Sequence, residues 1–150
     1  MVKFVESCVV FEEIPVCVSL AVSISNCPFR CPNCHSPYLQ EDCGVELNEK
    51  IIDELLEKNK GVNCFLFMGD GGDVNRVYDL AMYIRETHPE LKTAVYMGND
   101  YIPNKYLECF DYIKTGLYIE KLGPLNKVTT NQRLYENNGG LKDITYKFWR

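Results

Sequence analysis

Apolar positions along the chain follow two rhythms, one with the period of a strand and one that returns to a single helical face. Lys3 to Phe11 and Val16 to Ile24 both read as strands, and the second is almost continuously apolar, as a strand covered on both faces requires. Asn48 is placed to cap a helix running to Lys60, with Ile51, Ile52, Leu55 and Leu56 as its apolar stripe and Gly61 as its stop. Val62 to Met68 is a predicted buried strand. Asp73 caps the next helix, whose Val74, Val77, Tyr78, Ala81 and Ile84 share a face and beyond whose end stands Pro89. Lys92 to Met97 and Asp111 to Thr115 read as further strands, with a short helix starting near Pro103 between them. In the tail, Gly123-Pro124 and Gly139-Gly140 signal turns, and Ile144 to Trp149 is predicted to form a last strand at the sheet edge.

Strands alternating with helices imply right-handed crossovers and a mainly parallel sheet. Residues 1–150 carry no internal repeat, low-complexity tract or linker and are expected to form one domain. A closed eight-stranded α/β barrel takes about 250 residues, so the expected α/β architecture is a truncated, partial βα barrel. Hydrophobic residues at 46% and charged residues at 25% fit a soluble globular chain. Sixteen basic against 21 acidic residues give a net charge of −5 with no basic stripe, which argues against nucleic acid as a partner. The longest apolar stretch, Ile14 to Ile24, is broken by Ser19 and Ser23 and falls short of the roughly 20 residues of a membrane span. Glu6, Glu12 and Glu13 stand where a signal peptide would be basic and apolar, so a cytoplasmic location is expected.

The eight cysteines change the picture, because three of them, Cys27, Cys31 and Cys34, fall within eight residues in a loop after a buried strand. Loops at strand ends are where α/β sheets bind ligands. Pro28 and Pro32 exclude regular helix there and lower the entropy lost when the loop closes on a metal. Three thiolates suit a 4Fe-4S cluster with one iron left open for chemistry. The alternative from the same residues is a closed tetrahedral zinc site of Cys27, Cys31, Cys34 and Cys43 in a zinc-stabilised binding module. Cys8, Cys17, Cys64 and Cys109 are scattered singly and read as small core or surface residues.

Gly69-Asp70-Gly71-Gly72-Asp73 follows the strand ending at Met68 and precedes a helix. It lacks both a dinucleotide fingerprint and the lysine of a phosphate loop, and reads as a tight turn with Asp73 as helix cap. Lys114, at the end of a late strand, is placed either to face a ligand pocket or to be solvated, and solvated is the expectation.

The spacing Cys-x3-Cys-x2-Cys, in Cys27-Pro28-Phe29-Arg30-Cys31-Pro32-Asn33-Cys34-His35, resembles the signature of the radical S-adenosylmethionine (SAM) enzymes. Within them the chain resembles the activating proteins of anaerobic ribonucleoside-triphosphate reductase, through Cys27 to Leu39, Phe67-Met68-Gly69-Asp70-Gly71, Gly123-Pro124-Leu125-Asn126 and Thr129 to Tyr135. The resemblance implies an oxidoreductase in which Cys27, Cys31 and Cys34 hold the cluster and its open iron chelates SAM. One electron would cleave SAM to a 5′-deoxyadenosyl radical that makes a glycyl radical on the large reductase subunit. Asn33, His35, Gly69, Asp70 and Gly71 are the residues it implies for SAM binding. Asn33 stands where the family often has an aromatic residue against adenine, leaving Tyr38 as another candidate. Either Asp70 or Gly71-Gly72-Asp73 is placed to meet the SAM ammonium. Implied partners are the reductase and an electron donor such as flavodoxin or ferredoxin; activation of a different glycyl-radical enzyme is the neighbouring alternative.

Overall fold

The apolar runs of the middle of the chain come together as four adjacent parallel strands. The protein is described by a computed structural model over residues 1–27 and 37–149. Its strands are β1 (Lys3–Val10), β2 (Ser19–Ile24), β3 (Val45–Glu46), β4 (Cys64–Met68), β5 (Lys92–Tyr96), β6 (Tyr112–Thr115), β7 (Arg133–Asn137) and β8 (Leu141–Asp143). Its helices are α1 (Glu49–Lys58), α2 (Val74–Thr87) and α3 (Asn104–Cys109), with 3-10 turns at Pro37–Gln40 and Thr145–Phe148. All eight strands join one sheet in the order β3-β1-β2-β4-β5-β6-β7-β8. Strands β2, β4, β5 and β6 are parallel neighbours, whereas β1, β3, β7 and β8 pair antiparallel. The result is one α/β domain with a mixed sheet flanked by helices. The expectation of a mainly parallel sheet holds for its centre only, and the strand order runs from β3 at one edge to β8 at the other rather than closing on itself.

Local chemistry explains the helix ends. The Asn48 side chain accepts from the Ile51 N–H at 3.0 Å, and Asp73 accepts from the Arg76 N–H at 3.2 Å, each satisfying a donor the helix leaves open. Helix α1 stops at Lys58, short of the expected Lys60, because the Asn59 N–H turns back to the Leu56 carbonyl and its amide to that of Leu55. Strand β2 likewise starts at Ser19 rather than Val16, since Cys17 N–H closes a turn onto the Ile14 carbonyl.

The two faces of the sheet are covered differently. On one, the helix face, Ile52 and Leu56 of α1, Val77, Leu80, Ala81 and Ile84 of α2, and Tyr106 and Cys109 of α3 pack against Leu20, Val22, Phe65, Phe67, Val95 and Ile113. On the other, the loop face, Ala21, Cys64, Leu66, Ala94, Tyr112 and Leu134 are covered by Ile14 and Cys17 before β2 and by Ile144 near the end of the chain.

The tail departs most from expectation. Ile144 to Trp149 forms no strand: the Asp143 carboxylate accepts from the Thr145 N–H at 2.9 Å and from its hydroxyl at 2.6 Å, starting a 3-10 turn. The strands of this region are instead the β7–β8 hairpin around the Gly139-Gly140 turn. Among the described residues no helix is long and apolar enough to cross a membrane.

Candidate functional site

The carboxyl ends of the parallel strands meet on the loop face in one register row. Ser23 pairs with Met68, Met68 with Tyr96, and Tyr96 with Lys114, which lies beside Leu134 of β7. The crevice outside such strand ends is the usual ligand position in open α/β sheets.

Lys114 is 7% exposed, and its burial corrects the expectation of a solvated side chain. Strand alternation puts it on the same face as Tyr112, which packs in the loop-face core. Its ammonium donates to the carbonyls of Met97 at 3.1 Å and Gly116 at 2.8 Å and lies 5.7 Å from the centre of the Tyr96 ring. These contacts offset part of the cost of taking a cation out of water. The Tyr96 hydroxyl donates to the Glu13 carbonyl, and burial pushes its phenol well above the ordinary range.

Residues 69–73 cross the end of β4 with Gly69, Gly71 and Gly72 in left-handed backbone conformations that favour glycine. Gly69 (φ +97°) donates its N–H to the Tyr96 carbonyl at 3.0 Å. Gly71 (φ +62°) comes so close to the end of β2 that a Cβ there would stand 3.0 Å from the Ser25 carbonyl oxygen. Gly69, Asp70 and Gly71 are thus brought to the carboxyl end of the sheet, beside the strand that leads to Cys27. Asp70 is engaged by the fold itself: one oxygen accepts from the Gly72 N–H at 3.0 Å and the other from the Tyr106 hydroxyl at 2.8 Å. Burial, reinforced by the Asp70 charge, holds the Tyr106 phenol protonated far above its ordinary value. Asp73 caps α2 and meets the Met1 ammonium at 2.9 Å, whose hydrogen bond is the main cause holding its carboxyl below the usual range.

The start of the cysteine motif is stitched to the segment that follows it. The Ser25 hydroxyl donates to the Cys43 carbonyl at 2.6 Å, Asn26 N–H to that of Glu41 at 3.0 Å, and Cys27 N–H to that of Leu39 at 2.8 Å. Cys27 and Cys43 are half-buried. Cys31, Asn33, Cys34 and His35 lie outside the described residues, as does the side chain of Tyr38. Cys8 is exposed on β1, whereas Cys17, Cys64 and Cys109 are buried, as their scatter implied.

Comparison with protein-family models, curated proteins and solved structures found no match to this chain. Among the described residues no group of three or more His, Cys, Asp or Glu side chains is gathered so as to hold a metal ion. The radical SAM assignment is corrected on these two findings. With it go the 4Fe-4S cluster, SAM as cofactor, the activase reaction on ribonucleotide reductase or another glycyl-radical enzyme, and the zinc-stabilised module. The physical reason is that a cluster needs three thiolates converging on one point, and the cysteines among the described residues are spread over the sheet. Cys17 and Cys64 lie in the loop-face core and Cys109 in the helix-face core. The reductase and the electron donor rested on the same resemblance and have no independent support.

Sequence reasoning missed two features of the loop face, the burial of Lys114 and the convergence of Cys17 and Cys64 on its core. The signal for the first was present, since Tyr112-Ile113-Lys114-Thr115 alternates and places Lys114 with Tyr112. The second depends on register between β2 and β4, which no local pattern announces.

Proposed function

We propose that the protein binds a small molecule bearing a carboxylate or phosphate at the carboxyl ends of β2, β4, β5 and β6. The observation that carries this reading is the row Ser23, Met68, Tyr96 and Lys114, in which a buried ammonium ends a line of half-buried side chains at the edge of the loop face. A cation already desolvated and positioned interacts with an anion more strongly than a hydrated surface lysine does. Gly69 and Gly71 support the reading because glycine lets a ligand approach the backbone closely. In this reading the sheet curls as a partial barrel, the loop face is concave, and the row lies at its mouth. Asp70 serves the site by fixing the glycine turn to α3 rather than by touching the ligand.

The test is backbone amide NMR of the whole chain titrated with inorganic phosphate, ATP, citrate and glycine. Shifts at Gly69 to Gly72, Met97 and Gly116 for the anionic probes, lost in Lys114→Met, are the expected result. Shifts confined to other regions, or none with any probe, would overturn the reading.

A further inference from the structure

Cys17 and Cys64 sit at the opposite end of the loop face from Lys114, and both belong to its buried cluster. Ser19 pairs with Cys64 across the parallel strands β2 and β4, and Cys17 lies two residues upstream on the same face. The approach is pinned on both sides: Asn63 N–H donates to the Val18 carbonyl at 2.9 Å, and Val18 N–H donates to the Asn63 side chain at 3.0 Å. Cys17, Cys64 and the Tyr112 ring lie together in this one buried cluster. The Ser19 hydroxyl, on the residue that pairs with Cys64 across the strands, is fully buried and has no hydrogen-bond partner among the described residues. A buried hydroxyl costs free energy unless something accepts from it, and a sulfur that gains negative charge is such an acceptor.

We infer that Cys17 and Cys64 form a redox-active thiol pair, oxidised to an intramolecular disulfide by hydrogen peroxide or by a low-molecular-weight disulfide. Cys17 is the attacking group, because it keeps 8% exposure while Cys64 has none. The surroundings hold the Cys17 thiol below its ordinary value and burial pushes that of Cys64 well above, so Cys17 is the one that more readily becomes the thiolate.

With peroxide, the Cys17 thiolate attacks one oxygen, the O–O bond breaks, and hydroxide leaves, giving a sulfenic acid at Cys17. The Cys64 sulfur then attacks that sulfur; the S–O bond breaks as the S–S bond forms, and the departing hydroxide takes the Cys64 proton to leave as water. Both sulfurs end oxidised by one electron each, and the peroxide is reduced to two waters once the first hydroxide is protonated by solvent. With a low-molecular-weight disulfide, the Cys17 thiolate attacks one sulfur and expels the other as thiolate; Cys64 then attacks Cys17 in the mixed disulfide, and the second small thiolate leaves with the Cys64 proton. The bond clamps the segment before β2 onto the amino end of β4. That segment carries the Glu13 carbonyl that accepts from Tyr96, so oxidation state couples to how firmly the loop face is covered.

The experiment exposes the reduced full chain to hydrogen peroxide and, separately, to glutathione disulfide. Remaining thiols are then blocked with N-ethylmaleimide, and intact mass is followed by peptide fragmentation that separates Cys17 from Cys8 and Cys27. Expected are a mass lower by two hydrogens, a Cys17–Cys64 cross-link, its loss in Cys17→Ser and in Cys64→Ala, and its retention in Cys8→Ser. Oxidation mapping to other cysteines, or Cys17 and Cys64 both alkylated as separate free thiols after treatment, would overturn the inference; because the mapping is made on the natural chain, it stands even if a variant fails to fold.

Discussion

Consecutive residues of β4 face two different chemistries. Phe65 and Phe67 enter the helix face, where their ring centres lie 5.0 Å apart and Phe67 meets Phe110 edge-on at 5.8 Å, with Tyr106 at 5.0 Å from Phe110. Cys64, Leu66 and Met68 enter the loop face, among Ser19, Cys17, Tyr96 and Lys114. Helices α1, α2 and α3 present apolar stripes whose own polar backbone is already paired, so the helix face can be almost wholly hydrocarbon and aromatic. Loops bring unpaired carbonyls, those of Glu13, Met97 and Gly116, and these can accept from a phenol or an ammonium. The lesson is a division of labour: the helix face supplies stability, and the loop face can hold reactive and charged groups.

The largest effect should come from breaking the helix face. Phe67→Ala is expected to cost about 3–5 kcal/mol, the range for truncating a fully buried aromatic, read from urea denaturation; a loss below about 1 kcal/mol would mean the two faces do not differ as described. On the loop face, Lys114→Met should cost less, about 1–3 kcal/mol, because the Met97 carbonyl loses its side-chain donor and the Gly116 carbonyl is left with that of Gln132, while the side-chain volume is kept. Its distinguishing readout is loss of anion-induced amide shifts. Tyr106→Phe removes the donor to Asp70 but keeps the ring and should cost about 1 kcal/mol, with the Gly69 to Gly72 amides exchanging faster with solvent.

The smallest effect lies at the rim of the helix layer and is set by pH. The Asp73 carboxyl is held below its ordinary 3.8, first by the Met1 ammonium. That of Asp53 is held down from the same 3.8 by the Tyr83 hydroxyl and then by His88. A carboxyl whose folded value is depressed contributes stability that is fully present above its unfolded value and disappears as pH falls through the folded one. Urea midpoints measured downward from neutral pH should therefore fall in the acid range below about 4. Asp73→Asn should flatten part of that fall, by less than about 1 kcal/mol, since the pair with Met1 is solvent-exposed. An unchanged slope in that variant would remove Asp73 from the account.

Much of the fold was legible along the chain. The apolar runs mark β2, β4, β5 and β6, Asn48 and Asp73 cap α1 and α2 as their side chains require, and Pro103 opens α3. The β7–β8 hairpin was not legible, because Arg133 to Asn137 offers only Leu134 as a fully buried residue and becomes a strand through its ladder with β6. The apolar cluster Ile144 to Trp149 looked like a strand and folded as a turn because Asp143 captures Thr145, whose hydroxyl also accepts from the Leu134 N–H at 2.9 Å.

The candidate site divides along the same line. Cysteine spacing gave the loudest local signal, yet the residues that converge on the loop face are Lys114 with Tyr96 at one end and Cys17 with Cys64 at the other. By itself the sequence determined the central strands β2, β4, β5 and β6 and the helices α1, α2 and α3, where several of them are capped, and that glycines cross the end of β4, since each depends on near neighbours in the chain. Only the tertiary structure decided which strands are antiparallel, that Lys114 is buried, and that Cys17 and Cys64 enter one core, because register across a sheet is set by packing both of its faces at once.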